Sequence, residues 1–156
     1  MIAVVEDWVE EPVRRFVDDA RVVLALLLYP SGQVMAQHGF ARAVDVMSAC
    51  ALAAAIHASS GELGKQLDGV PFSGMHHAGK ARQIFLAQAP TPRGPLVFLT
   101  VFDRESSLGL VRLYFEELVT ALAAAAPPAP EHQEPVLAAN FERELDHNLA
   151  ALFGRA

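Results

Sequence analysis

The spacing of apolar residues predicts a helix near the start of the chain and a β-hairpin after it. From Trp8 to Ala20 the apolar side chains recur at helical intervals, at Val9, Val13, Phe16 and Val17. The next run, Arg21 to Tyr29, is rich in leucine and valine and is too short for a buried helix, which favours a strand covered on both faces. Pro30, Ser31 and Gly32 are turn residues, so Gln33 to His38 is expected to be the partner strand.

A long helix is predicted from Val44 to Leu67, because this segment is rich in alanine and contains no proline. Asp45 is placed to cap its N-terminal end. Three extended segments follow the helix, with turn-forming residues between them, from Val70 to Gly79, from Ala81 to Ala89 and from Pro95 to Phe102.

A polar loop, Asp103 to Ser107, separates the last of these strands from another helix, Leu108 to Ala126. The hydroxyl of Ser106 or Ser107 can cap the free amides of that helix. The element order is helix, two strands, helix, three strands and helix, and the short connections favour antiparallel neighbours. We therefore predict an α+β fold in which a five-stranded antiparallel sheet lies between helices.

The predicted domain covers residues 1–126, and two further segments follow it. Residues 127–135 form a proline-rich linker that is expected to be stiff and extended. Residues 136–156 carry apolar side chains at helical spacing, at Leu137, Phe141, Leu145, Leu149 and Leu152. This C-terminal amphipathic helix either folds back onto its own domain or remains available to a partner.

The composition narrows the classes of partner. Of the 156 residues, 53% are hydrophobic and only 19% are charged, which favours burial of some apolar surface against another chain. The net charge of −6 and the lack of a basic stripe argue against nucleic acid. The apolar stretches are shorter than the ~20 residues of a membrane-spanning helix, and the N-terminus lacks the pattern of a signal peptide. The expected location is the cytoplasm.

The candidate reactive groups do not form a catalytic or metal-binding set. Cys50 lies in an apolar helix and is expected to be a small buried hydrophobe rather than a nucleophile. His76 and His77 are adjacent in a strand, so their side chains point to opposite faces and cannot bind one metal together. Asp103 is expected to order its loop. The chain has no GxxxxGK[ST] phosphate loop and no combination of acid, base and nucleophile, so we expect neither a cofactor nor a small-molecule substrate.

Two segments resemble the Roadblock family, a relative of the longin domains. Phe102 to Leu113, FDRESSLGLVRL, resembles a strand–loop–helix junction of the MglB-type Roadblock proteins, bacterial polarity regulators that act on the Ras-like GTPase MglA. Ala53 to Lys65, AAAIHASSGELGK, is similar to the small-residue-rich central helix of that family. The resemblance covers Arg21 to Ala125, whereas the paired histidines and the proline-rich turn before the last strand depart from it.

The resemblance implies an interaction protein that performs no chemistry. Roadblock domains form homodimers by joining two sheets edge to edge and placing their central helices side by side, and a GTPase of the MglA type docks on the paired helices. MglB-type proteins speed GTP hydrolysis by rearranging the GTPase's own loops, so Arg93, Arg104 and Arg112 are not expected to act as arginine fingers. The alternative is a Roadblock scaffold or adaptor that assembles proteins without changing GTP hydrolysis.

A projection at ~100° per residue divides the central helix into three faces. An apolar face should pack on the sheet, namely Val46, Ala49, Cys50, Ala53, Ile56, Leu63 and Leu67. A ridge of small residues is the expected dimer interface, namely Ala51, Ala54, Ala58 and Gly61. A polar face is the expected GTPase-binding surface, namely Asp45, Ser48, Leu52, Ser59, Glu62 and Gln66, to which the C-terminal helix adds Phe141, Leu145 and Leu149. Alternatively, the alanines only raise helix propensity and the polar face is solvated.

Overall fold

The computed structural model describes residues 6–39, 45–128 and 145–152. Its helices and strands, in chain order, are α1 Asp7–Ala20, β1 Leu24–Leu28, β2 Val34–Gly39, α2 Val46–Asp68, β3 Gly74–Ala78, β4 Gln83–Ala89, β5 Leu96–Phe102 and α3 Leu108–Ala125. A further helical segment, α4, covers residues 145–152. Every helix and strand predicted before the linker is present, in the predicted order.

The five strands form one antiparallel sheet in the order β2-β1-β5-β4-β3. The predicted five-stranded antiparallel sheet is therefore confirmed. The hairpin β1–β2 lies at one end of the sheet, and β5 pairs with both β1 and β4 in its centre. As a result β3 is an edge strand whose outer side has no neighbour within the part of the chain that the structure describes.

Helices cover the two faces of the sheet unequally. α1 and α3 pack side by side on one face, over a core that includes Phe16, Phe98 and Phe102. Of α1, α2 and α3, only α2 lies on the other face, over β1, β5 and β4. A sheet of five strands is about 19 Å wide, whereas a helix with its side chains is about 10 Å across. The helices of the described ranges therefore cover only part of the face under α2.

The helix ends and the polar loop have the caps that the sequence predicts. Asp45 accepts a hydrogen bond from the Ser48 amide at 3.1 Å, at the start of α2. Ser107 accepts one from the Leu110 amide at 3.2 Å, at the start of α3. In the loop between β5 and α3, the Asp103 carboxylate accepts a hydrogen bond from the Glu105 amide at 2.9 Å. These contacts satisfy amides that a helix or turn otherwise leaves unpaired.

A carboxylate fixes the N-terminal end of α1 against the end of β1. Glu6 accepts hydrogen bonds from the Trp8 indole at 2.6 Å and from the Tyr29 hydroxyl at 2.8 Å. These two donors stabilise the ionised form, so the pKa of Glu6 is lowered from its ordinary value. The contact joins residues that are 23 positions apart in the chain.

The segment after α3 lies mostly outside the described residues. The predicted linker is described only at Pro127 and Pro128, and Phe141 is not described. In α4, Leu145 and Leu149 are 46% and 42% exposed. The domain limits and the role of this helix therefore remain predictions.

Candidate functional site

The side of α2 that packs against the rest of the chain differs from the predicted one in its C-terminal half. Val46, Cys50 and Ala53 are buried, as expected for the face on the sheet. The expectation that Leu63 and Leu67 continue this face is wrong, because they are 50% and 72% exposed. The positions buried in their place are Ser60 and Gly64.

The close approach of the following segment explains this difference. A Cβ at Gly64 would lie 2.3 Å from the Phe72 nitrogen and 2.8 Å from the Val70 carbonyl oxygen. The chain after α2 therefore folds back along the helix at Gly64, where no side chain is present. The leucines are displaced to the outside, since Gly64 and Ser60 occupy the inner side.

The six residues of the predicted GTPase-binding surface on α2 all lie on its exposed side: Asp45, Ser48, Leu52, Ser59, Glu62 and Gln66. Two of them also have a structural role, because Asp45 and Ser48 form the helix cap, with a second hydrogen bond of 2.8 Å between their side chains. Glu62 forms an exposed ion pair with Lys65 at 2.9 Å. A shallow groove runs beside the C-terminal part of this surface, lined by Ala58, Ser59, Glu62, Leu63 and Gln66. The helix thus presents one continuous outer face.

The predicted ridge of small residues is partly occupied by this chain. A Cβ at Gly32, in the β1–β2 turn, would lie 3.6 Å from Ala54 Cβ and 3.5 Å from Ala51 Cα. At the other end of the ridge, a Cβ at Gly61 would lie 3.9 Å from Pro71. Ala58, between them, is exposed. The ridge is therefore not open to solvent along its whole length, because part of it borders the β1–β2 turn.

The opposite flank of α2 carries larger apolar side chains. Leu52, Leu63 and Leu67, here called the leucine flank, are 63%, 50% and 72% exposed. They lie about 140–180° around the helix axis from Ala54, which contacts the β1–β2 side. Since β2 and β3 are the two edges of the sheet, the leucine flank is on the β3 side. Val70 and Phe72, 56% and 37% exposed, extend the apolar surface towards the start of β3.

α2 is unusually apolar for a helix that is so exposed. Among the described residues it is the one helix long and apolar enough to cross a membrane, judged by length and composition alone. Its inner side packs on the sheet, yet only 22% of its apolar 18-residue stretch is buried within the chain. Exposed apolar surface of this kind marks a contact with another molecule.

The reactive residues considered in the sequence do not come together. Cys50 is fully buried, and burial raises the pKa of its thiol, so the reactive thiolate is disfavoured. His76 and His77 lie on opposite faces of β3, and the His76 ring stacks on Phe102. Within the described ranges, no three or more His, Cys, Asp or Glu side chains form a group that could hold a metal ion. Arg93, Arg104 and Arg112 are exposed and lie on three different elements.

Comparison with known proteins gives matches among solved structures. The fold is similar to Myxococcus xanthus MglB, with 24% identity, a TM-score of 0.69 and coverage of 76% of this chain and 94% of that one. A structure described as MglB with tetrameric arrangement has 24% identity, a TM-score of 0.66 and coverage of 74% and 85%. A Roadblock/LC7 domain from Streptomyces avermitilis has 20% identity, a TM-score of 0.60 and coverage of 76% and 95%.

No family model and no curated protein matches the chain. The structural matches extend over nearly the whole of the similar chains, and they agree with the resemblance that the sequence shows at the β5–α3 junction and along α2. The chain therefore has the Roadblock/LC7 fold, and its fold is similar to that of MglB.

Proposed function

We propose that this chain is a homodimeric Roadblock protein that binds a Ras-like GTPase of the MglA type and speeds its GTP hydrolysis without supplying a catalytic group. The observation that carries the proposal is the outer side of α2, a long apolar helix that the described residues leave mostly uncovered. The Roadblock/LC7 fold supports it, because the resemblance to MglB-type proteins implies a GTPase on this helix.

Two neighbouring features support a second copy of the chain as one partner. β3 is an edge strand, and natural proteins cover or pair such edges to prevent uncontrolled association. The leucine flank lies on the same side of the domain. A two-fold axis beside β3 would pair two β3 strands and bring two α2 helices together. The open edge of β3 and the leucine flank would then both be covered. One similar structure, MglB with tetrameric arrangement, is itself an association of several chains.

The size of the outer face also favours a dimer as the binding unit. From Asp45 to Gln66 the helix rises about 32 Å, and a strip about 10 Å wide offers roughly 300 Å². A stable protein interface buries about 800 Å² on each partner. One α2 is therefore too small, whereas two α2 helices side by side come close to the required area.

Binding rather than chemistry is the proposed mode of action. In the proposal, the paired helices hold the GTPase loops in the conformation that hydrolyses GTP. The predicted C-terminal helix, residues 136–156, provides a separate contact through Phe141, Leu145 and Leu149. An adaptor that holds the GTPase without changing hydrolysis is the alternative, and it needs the same surface. Measurement of the rate of GTP hydrolysis, rather than of GTPase binding, distinguishes a regulator from an adaptor.

The binding surface is tested by titrating an MglA-type GTPase, loaded with a non-hydrolysable GTP analogue or with GDP, with the full-length chain. Glu62→Arg should weaken binding about tenfold, the usual effect of losing one contact in a docking surface. The matched control is Glu116→Arg, an exposed glutamate on α3, on the other face of the sheet. Equal affinity of all three proteins would place the docking surface elsewhere.

The position of the dimer contact is tested by two charge insertions on α2. Leu63→Glu lies on the leucine flank and Ala58→Glu lies on the predicted ridge, and both positions are exposed. A desolvated, unpaired charge is strongly destabilising, so the variant at the true contact should become monomeric in sedimentation experiments. We expect this for Leu63→Glu. Loss of the dimer only in Ala58→Glu would place the dimer interface on the ridge of small residues. A monomeric wild type would contradict the proposed dimer.

A further inference from the structure

The hydrogen bonds of β3 determine which of its backbone groups face the open edge. The Ser73 carbonyl accepts a hydrogen bond from the Gln88 amide at 2.9 Å, and the Gly79 amide donates to the Arg82 carbonyl at 2.8 Å. Both bonds point inwards, towards β4. In an antiparallel ladder, the amide and carbonyl of one residue point to the same side and alternate along the strand. The backbone groups that face outwards are therefore those of Gly74, His76 and Ala78.

The open side of β3 carries none of the features that keep sheet edges unpaired. Such edges are commonly protected by proline, by charged side chains or by a β-bulge. Gly74–Ala78 contains no proline, lysine, arginine, aspartate or glutamate, and it pairs with β4 without a break in register. The His76 ring leans away from the edge, because its Nε2 lies 2.7 Å from the Gln83 amide oxygen of β4 and the ring stacks on Phe102 of β5. Among the described residues, nothing covers the outward backbone groups of β3.

The other edge strand, β2, is less suited to pairing with a second strand. Leu27 of β1 pairs with Ala36 whereas Leu28 pairs with Val34, so Met35 is an extra residue in β2. In agreement with a bulge, the adjacent residues Met35 and Ala36 both belong to the core under α1 and α3. A bulge bends its strand and protects a sheet edge. β3 is therefore the edge that accepts a straight antiparallel partner.

We infer that two copies of the chain pair through β3 in the antiparallel register that places His76 opposite His76 of the second copy. The inference specifies the dimer of the proposed function and rests on it. In this register Gly74 lies opposite Ala78 of the second copy, so all the outward residues are paired and about six backbone hydrogen bonds form. A register centred on Met75 or on His77 pairs fewer outward residues and forms about four. Since each additional hydrogen bond favours association, full overlap gives the most stable pairing.

This register also determines which side chains meet on the face of the sheet under α2. Met75 packs against the core under α2, so Met75 and His77 lie on that face. Across the two-fold axis, Met75 lies opposite His77 of the second copy at a position without mutual hydrogen bonds, where the Cα atoms are about 4.5 Å apart. Two Met75 residues are only diagonal neighbours, about 7–8 Å apart, and the same holds for two His77 residues.

Disulfide formation between single-cysteine variants of the full-length chain tests the register. A disulfide joins Cα atoms that are about 4.4–6.8 Å apart. Met75→Cys and His77→Cys are each combined with Cys50→Ala, so that every chain has one cysteine, and a tag distinguishes the two by mass. After oxidation with diamide, a mixture of the two variants should contain at least about tenfold more linked dimer than either variant alone. Sedimentation before oxidation is the control that both variants dimerise.

Each outcome either supports the inference or contradicts a stated part of the account. Linkage in the mixture, and little in the separate variants, supports the register. Efficient linkage of Met75→Cys alone, or of His77→Cys alone, places the two-fold axis at that residue and contradicts it. Dimers that form no disulfide in any of the three samples contradict pairing through β3. A wild type that is monomeric in sedimentation contradicts the proposed dimer itself.

Amide hydrogen exchange of the wild type provides a second measurement that needs no substitution. In the dimer, the amides of Gly74, His76 and Ala78 are all hydrogen-bonded to the second copy, so each should exchange at least about a hundredfold more slowly than a free amide. A register centred on Met75 leaves the Ala78 amide without this partner, and one centred on His77 does so for Gly74. Fast exchange of any of the three in the dimer therefore contradicts the inference, even if the cysteine variants fail to dimerise.

Discussion

Replacement of Gly64 by alanine tests whether the segment after α2 packs against the helix as described. The new Cβ would lie 2.3 Å from the Phe72 nitrogen, 2.8 Å from the Val70 carbonyl oxygen and 2.9 Å from Phe72 Cγ. Two of these atoms belong to the backbone, so the segment must move by about 1 Å to reach ordinary van der Waals distance. The movement displaces Phe72, which leads directly into β3.

The expected change in the free energy of unfolding of Gly64→Ala is the sum of two opposing effects. An alanine inside a helix is about 1 kcal/mol more favourable than a glycine, whereas overpacking of a tight contact costs about 1–3 kcal/mol. Because the clash is with backbone atoms, we expect the upper part of that range and a net loss of about 2 kcal/mol. For a chain of this size the melting temperature should fall by about 4–8 °C.

Thermal unfolding followed by circular dichroism, at one fixed protein concentration, provides the assay. Gly109→Ala is the matched control, since no atom lies within 4 Å of a Cβ at this position in α3. Gly61→Ala is a second control within α2, where the nearest atom would be Pro71 Cβ at 3.9 Å. Both controls should be as stable as the wild type or more stable. A Gly64→Ala variant as stable as the controls would refute the close packing of the segment and the reason given for the exposed leucines.

Three further predictions concern the interior, the cap of α1 and the arginines. Cys50 should react with a thiol reagent at least about a hundredfold more slowly in the native protein than in denaturant, and fast native labelling would mean that α2 does not bury it. Glu6→Gln should lower the melting temperature at pH 7 by about 2–4 °C. Because the pKa of Glu6 is lowered in the folded protein, this difference should narrow as the pH falls through and below the ordinary value of 4.5, and a constant difference would contradict the role of the carboxylate. Arg93→Ala, Arg104→Ala and Arg112→Ala should each retain the wild-type melting temperature within 2 °C (about 0.5 kcal/mol), since surface substitutions seldom cost more.

The elements of the fold could be predicted because their sequence signals are local. The apolar run of β1, the alanine-rich α2 and the caps at Asp45 and Ser107 each act within a few residues. The strand order β2-β1-β5-β4-β3 could not be derived, since it depends on contacts between distant segments. The open edge of β3, which the proposed dimer uses, follows from that order.

On the inner side of α2, only the residues of the N-terminal half could be predicted, because those of the C-terminal half also depend on a contact with another segment. A helical projection places the largest apolar residues inwards, and this rule succeeds for Val46 and Cys50, which lie on the sheet. It fails for Leu63 and Leu67, because there the helix packs against a backbone segment that needs a surface without side chains. The small residues Ser60 and Gly64 continue the spacing of Val46, Cys50 and Ala53, and that continuation was the available signal.

Single-turnover GTP hydrolysis by an MglA-type GTPase, measured against increasing concentration of the full-length chain, tests the central claim most directly. The account predicts that hydrolysis accelerates and reaches a plateau, and that Arg93→Ala, Arg104→Ala and Arg112→Ala reach nearly the same plateau. Glu62→Arg should reach it at about tenfold higher concentration. A rate that does not change although the GTPase binds would favour the adaptor. A loss of a thousandfold or so at the plateau from any one arginine, the effect of removing an arginine finger, would contradict regulation by binding alone.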